Sequence, residues 1–304
     1  MPDIILHHYD TSPYAEKVRT TFGVKRLAWR SVEIPRIMPK PDLMPLTGGY
    51  RKTPVLQIGA DVYCDTQLIL HEIDRRHPQP PLNPHPGLGD ALGWWAEKAL
   101  FTPSVIAAFA VIGDQLPESF KQDRAKFSGR NFDPAAMKAV LPYQLDQLRA
   151  HLGWLDRALG DGRKFLLGET PGTPDLAAYH CVWFVQRNVG KTAAPLGELN
   201  RLLAWAERMA AFGHGERNEM SAQQALEIAK AAQPATAPAA DFSDPAGRRP
   251  GQKVTVTPDD YGKDPVKGEL VRSDAQEIVI KRTDPMVGEV HVHFPRAGFV
   301  VSAA

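Results

Sequence analysis

The chain has 304 residues, 43% of them hydrophobic, enough for about two or three domains with substantial cores. Its 36 basic residues against 35 acidic ones leave a formal charge of +1, so no global field draws it to nucleic acid or anionic lipid. With only Cys64 and Cys181, a disulfide framework and a four-thiolate zinc site are both excluded. The opening Met-Pro-Asp and Ile4–Leu6 lack the basic region and long apolar core of a secretory signal. The most apolar window, VIAAFAVIG (105–113), is short of the roughly 20 residues that span a bilayer and reads as a buried helix. The expectation is a cytoplasmic protein with neither membrane nor nucleic acid among its partners.

In chain order, IILHHY (4–9) reads as a strand and PYAEKVRTTFGV (13–24) as a helix with Tyr14, Val18 and Phe22 along one side. AWRSVEI (28–34) reads as a second strand. After a poorly defined connection, TPVLQI and DVYCD flank the Gly59-Ala60 turn as a hairpin, and TQLILHEIDRRH (66–77) has a helical period ending before Pro78. The order is β-α-β then β-β-α, a mixed α/β sheet with helices over residues 1–80. HPQPPLNPHPG (77–87), with five prolines, is a linker. Residues 88–230 read as all-helical. Leu141, Leu145, Leu148, Leu152, Leu155 and Leu159 fall on one helix face, and DLAAYHCVWFV (175–185) is apolar almost all round, as in the central helix of a bundle. The alanine- and proline-rich stretch 231–250 reads as a flexible tether. Beyond it, Val254 and Val256, Ile278 and Ile280, and Val290, Val292 and Phe294 alternate with polar neighbours. That period of two predicts a separately folded small β-barrel or curled sheet over 251–304.

Three places have the chemistry of a site. Ser12-Pro13 opens the first helix; serine is a good N-cap and proline suits the first helical position, yet the same hydroxyl, beside unpaired amides, is placed to stabilise an anion. Thr53-Pro54 opens a strand, and Asp65-Thr66 opens the next helix. Each alone is ordinary punctuation. Together, and in this order, SPYAEKVR, KTPVL and DTQLILHEID resemble the cytosolic glutathione transferases over residues 1 to about 230. The first segment is similar to the omega, beta and related bacterial classes, where Cys-Pro or Ser-Pro opens the first helix and an arginine, here Arg19, follows seven residues later.

That resemblance implies a thioredoxin-like N-terminal domain followed by an all-helical one. It implies a homodimer, glutathione as co-substrate, and Ser12 in the catalytic position. Pro54 would be the cis-proline and the main chain of Thr53 would meet the cysteinyl part. Lys52 would meet the glycine carboxylate, while Asp65 and Thr66 would hold the γ-glutamyl amino and carboxylate groups. Asp65-Thr66 stands for the more common Glu-Ser. Asp175 would be the family's buried helix aspartate, with Gly172 where a capping Ser or Thr is usual. Because serine forms no disulfide, Ser12 favours conjugation, or another reaction of the glutathione thiolate, over thiol–disulfide exchange; the expected function is conjugation to a small, apolar electrophile. Tyr14, Trp94 and Trp95, with Phe101, are the candidate electrophile wall.

The remaining candidates read as structural. Cys64 is expected to be buried and inert. His291 and His293 share a strand face without an evident third ligand and read as exposed, so no metal is expected. His7 and His8 point to opposite faces. Residues 241–304 carry ten acids against nine bases, without the basic stripe of an RNA-binding barrel. The rival functions are a non-catalytic platform using the C-terminal strands for docking, and a glutathione-dependent peroxidase or dehalogenase.

Overall fold

A computed structural model of the chain describes residues 2–129, 132–191 and 195–304. β1 (Ile5–His8), α1 (Pro13–Lys25), β2 (Ala28–Glu33), the single turn α2 (Met44–Thr47), β3 (Val55–Ile58), β4 (Asp61–Cys64) and α3 (Thr66–Arg76) follow the predicted order. β1 pairs in parallel with β2 and antiparallel with β3, which pairs antiparallel with β4. Both faces of this sheet are covered, so successive side chains enter different cores. Leu6, Leu56 and Tyr63 join the helices on one side; Ile5, Val55, Val62 and Cys64 join a second core on the other. This is the thioredoxin-like domain.

The proline-rich linker is pinned by Lys25, whose Nζ donates to the His77 carbonyl at 2.6 Å. α4 (Leu88–Trp95) then continues through a π-helical turn (Ala96–Leu100) into α5 (Phe101–Ile112), followed by α6 (Glu118–Ser128), α7 (Pro134–Ala158), α8 (Thr173–Asn188) and α9 (Asn200–Ala210). By length and composition Leu88–Gln115 suffices to cross a membrane. Here Leu100, Ala107 and Ala108 are buried and α5 packs on α7 and α8. α8 is buried nearly all round, as its sequence predicts. Asp175, wholly buried, accepts from Leu166 N at 2.9 Å, Gly172 N at 3.0 Å and Trp205 Nε1 at 2.8 Å, so it secures the start of α8 without a capping hydroxyl. Gly172 is there for space: a Cβ would lie 2.8 Å from the Leu82 carbonyl oxygen.

The C-terminal region holds the largest departure from expectation. β5 (Glu216–Glu219), unpredicted, pairs in parallel with β2, and α10 (Ala222–Ala231) follows it. β6 (Lys253–Pro258), β7 (Val266–Ser273), β8 (Glu277–Asp284), β9 (Gly288–Pro295) and β10 (Phe299–Ala303) form the expected small β unit. It does not stand apart. β9 pairs in parallel with β4, from Asp61 opposite His291 to Tyr63 opposite His293, giving one ten-stranded sheet with the order β10-β6-β7-β8-β9-β4-β3-β1-β2-β5. Val254, Val256, Ile278, Ile280, Val290, Val292 and Phe294 share the second core with Ile5, Val32, Val55 and Val62. The tether is docked too: Ala235 N donates to Asp61 Oδ2 at 2.8 Å, and Ala239 N to the Val271 carbonyl at 3.1 Å.

His291 and His293 are buried, not exposed, because β9 is an inner strand between β8 and β4, with the Tyr63 ring stacked on His293 and the docked stretch 234–238 beside His291. His293 stacks on Tyr63 with ring centroids 4.3 Å apart and bridges Asp61 Oδ1 (2.9 Å) to Glu277 Oε1 (2.8 Å). Burial alone would depress its pKa, but the two carboxylates outweigh that and raise it. Among the described residues no group of three His, Cys, Asp or Glu side chains is placed to hold a metal ion.

Candidate functional site

The strand registers gather the candidate residues. His7 lies opposite Val55, and Val55 opposite Cys64. The segments just past these positions, Tyr9–Ser12, Thr53-Pro54 and Asp65-Thr66, therefore meet at one end of the sheet. Ser12, extended at φ −76° and ψ 122°, caps α1 by accepting from Ala15 N at 3.2 Å. Its lone pair serves the cap while its O–H remains a donor, so cap and anion stabiliser are compatible roles. Arg19 is a brace for this turn. It donates to the Asp10 carbonyl (2.9 Å), Glu16 Oε2 (2.7 Å) and His8 Nδ1 (3.2 Å). Burial and the Arg19 charge hold His8 neutral, its pKa lowered to about 3, so Nδ1 accepts and Nε2 donates to Ser31 Oγ.

The Thr53-Pro54 peptide bond is cis. Thr53 Oγ1 accepts at 2.9 Å from the Nζ of Lys40, which also binds the Arg51 carbonyl at 3.1 Å and lies 5.9 Å from the Tyr9 ring. Lys40 is buried; desolvation first, then the charges of Arg124 and Arg51, lower its pKa to about 7. Lys52 Nζ meets Asp260 Oδ1 at 2.6 Å.

Asp65 begins α3 with φ 74°, a left-handed conformation uncommon outside glycine, and its Oδ1 accepts from Gln67 N at 2.9 Å. Burial and the Glu97 charge raise its pKa. Thr66 Oγ1 accepts from Lys17 Nζ at 3.2 Å and donates to Glu97 Oε1 at 3.3 Å; Lys17 and Glu97 are themselves a close ion pair. Glu97, carried by the π-helical turn, thus closes the start of α3. Burial opposes its charge, yet the ammonium of Lys17 holds its carboxyl below the usual range.

Tyr14 packs against Phe101 (4.6 Å) and His180 (4.9 Å), and Tyr261, a residue of the β6–β7 loop, lies close to it. Trp94 is partly exposed, under Lys98 at 4.5 Å and beside Gly298. Trp95 is not brought to the other candidates: it turns to α7 and packs on His151 and Trp154. α6 covers the same end of the sheet, with Arg124 Nη2 donating to Tyr9 Oη at 3.2 Å and Asp123 pairing with Arg51.

Sequence reasoning missed Lys17, Lys40, Glu97, Asp260 and Tyr261. Lys17 carries no local signal, since its neighbours one turn on along α1 are Thr20 and Thr21. The others come from segments distant in sequence that the fold brings to this end.

The family model for the N-terminal domain of glutathione S-transferases matches residues 6–81, and the model for the C-terminal domain matches residues 104–208. No curated protein matches the chain. Among solved structures, a GST-like protein from Pseudomonas syringae is 37% identical with a TM-score of 0.79 and covers 100% of both chains, so the likeness includes the C-terminal strands. A glutathione-bound glutathione S-transferase from Methylobacillus flagellatus is 22% identical (TM-score 0.52), covering 68% of this chain and 95% of its own. A glutathione S-transferase from Rhodospirillum rubrum is 18% identical (TM-score 0.53), covering 68% and 88%. These two share the fold.

Proposed function

The chain belongs to the glutathione S-transferase family, and from that premise we propose that it binds glutathione where β1 and β4 end and β3 begins, and joins its sulfur to a small apolar electrophile. The observation that carries the reading is the meeting, at one sheet end, of the Ser12 hydroxyl, the cis Thr53-Pro54 peptide and the Asp65-Thr66 helix start. In this reading Thr53 pairs through its main chain with the cysteinyl residue, Asp65 and Thr66 take the γ-glutamyl end, and Lys52 takes the glycine carboxylate. Tyr14 and Phe101 offer the electrophile an apolar wall.

Ser12 acts on the thiol. A thiol of pKa about 8.5 is roughly 3% ionised at neutral pH, and one lowered to about 6.5 is roughly three-quarters ionised, a gain of about 25-fold in nucleophile. A hydroxyl donor at the positive end of α1 supplies that shift. The sulfur lone pair then forms the C–S bond as the electrophile's leaving group departs with its electron pair. The buried thiols Cys64 and Cys181 fit a cytoplasmic setting, and light scattering tests the homodimer that the family implies.

Ser12→Ala should lower kcat by about 10²–10³ while changing glutathione affinity little, by analogy with loss of an oxyanion-hole donor. The thiolate absorbance profile of the bound peptide should move to higher pH. An unchanged profile removes Ser12 from the mechanism. No heat on titrating millimolar glutathione into the full chain and into the loop variants described next refutes the reading altogether.

A further inference from the structure

The same site is already occupied by the chain's own carboxylates. Glu97 sits on Thr66 and Lys17 at one end; Asp260 sits on Lys52 at the other. The two are not equivalent. Glu97 is fixed in a helix and its departure would strand the buried Lys17 ammonium, whereas Asp260 lies in the β6–β7 loop with a side chain 32% exposed, so water can take it over when it leaves.

The loop is fitted to this place by more than one ion pair. Asp260 Oδ2 reaches Lys98 Nζ at 3.3 Å, and the Tyr261 ring lies 4.2 Å from Lys52 Nζ, shielding the ammonium from solvent. Tyr261 meets Phe127 edge-on at 5.2 Å and lies close to Tyr14. Gly262 N donates to the Phe127 carbonyl at 2.8 Å, and the residue has φ +58° with no room for a side chain: a Cβ would fall 2.2 Å from Phe127 Cε2. Lys52, at 12% side-chain exposure, has its charge already met from within the chain.

We propose that the Asp259–Gly262 loop is an internal stand-in for the glycine carboxylate of glutathione, and that full binding of the peptide requires this loop to leave Lys52. The proposal rests on the glutathione reading above and adds to it a gate supplied by the C-terminal strands. Two carboxylates on the one Lys52 ammonium would leave a negative charge uncompensated, and the Tyr261 ring already covers part of the Nζ, so loop and peptide compete. The apparent affinity is then the intrinsic affinity scaled by the fraction of molecules with the loop out; if that fraction is about 1–10%, the full chain binds about 10–100 times more weakly than an open form.

Calorimetric titration of glutathione into the full-length chain, Asp260→Asn and Gly262→Ala tests this. The first variant removes the competing charge at nearly constant shape; the second dislodges the loop sterically and leaves the charge. Both should bind glutathione at least tenfold more tightly than the parent chain, and Lys52→Met should abolish the difference. Hydrogen exchange at the Tyr261 and Gly262 amides should rise when the parent chain is saturated with glutathione. Equal, measurable affinity in all three proteins overturns the gate and leaves the glutathione site standing. Weaker binding by both variants, or greater protection of the loop with ligand, makes the loop part of the site and also overturns the gate. Failure of every protein to bind overturns the site reading, and the gate with it.

Discussion

Replacing His293 with phenylalanine tests how the C-terminal strands are fastened to the thioredoxin-like sheet. The ring that stacks on Tyr63 is kept, but both hydrogen bonds, to Asp61 at 2.9 Å and Glu277 at 2.8 Å, are lost, and Asp61 retains only the Ala235 amide. Both members of the His293–Asp61 pair are almost fully buried, and breaking such a pair from one side costs about 3–5 kcal/mol. For a chain of this length, each kcal/mol shifts a cooperative Tm by roughly 1.5–2 °C, so a fall of about 5–10 °C is expected. The loss depends on pH with a definite sign. The raised His293 pKa means its contribution is fully present below the unfolded value of about 6.5 and is lost as pH rises through the higher folded value. Asp61, against the opposing effect of its burial, is held below the usual carboxylate range by the His293 and Ala235 hydrogen bonds. Its contribution is present above about 3.9 and is lost as pH falls through the lower folded value. The gap between parent and variant should be widest between roughly pH 4 and 6.5 and narrow in alkali. Thermal unfolding of both proteins by circular dichroism from pH 4 to 9 measures it. A gap independent of pH, or below about 1 kcal/mol, would refute the charged clasp.

Truncation after Ala240, which the tether reading would have left harmless, should give an insoluble or aggregating product, because it bares the β4 edge and the second core; a soluble truncated chain with native circular dichroism would count against the shared core. Asp175→Ala should lower the urea midpoint by an amount equivalent to about 3–5 kcal/mol, since it orphans the buried Leu166, Gly172 and Trp205 donors. Burial with the Arg124 and Arg51 charges puts Lys40 near pH 7, so any part of glutathione affinity that uses its charge should decline as pH rises through about 7. Lys40→Arg, which stays charged, should flatten that inflection in a calorimetric pH series.

The site positions legible in the sequence are those whose role is written locally. Ser12 and Asp65 are helix caps, and the cap geometry that made them visible is the geometry the structure has. Thr53-Pro54 could be read from its place at a strand start. Lys40 lies in the stretch where periodicity gave no element, and Glu97, Asp260 and Tyr261 are remote segments with no local mark. β5 escaped because Glu216-Arg217-Asn218-Glu219 has no apolar alternation; it is an edge strand held by backbone pairing to β2, with charged side chains as edges favour. His291 and His293 were misjudged for a related reason. A period of two reveals that a strand has two faces, not that a second element covers the polar one. The fusion of the sheets at β4 and β9 left no trace in either strand alone.

That fusion also sets a timetable. β4 leaves the ribosome long before its partner β9. About 230 residues separate them, and at roughly 5–20 residues per second the β4 edge waits on the order of 10–50 s for its neighbour. Throughout that interval Val62 and Cys64, destined for the second core, have no C-terminal strands to pack against. The nascent chain therefore exposes an unpaired hydrophobic edge for the time in which a chaperone, or another nascent chain, can find it. Expression yield should depend on elongation rate and chaperone supply more than the native sheet, finished at both ends, would lead one to expect.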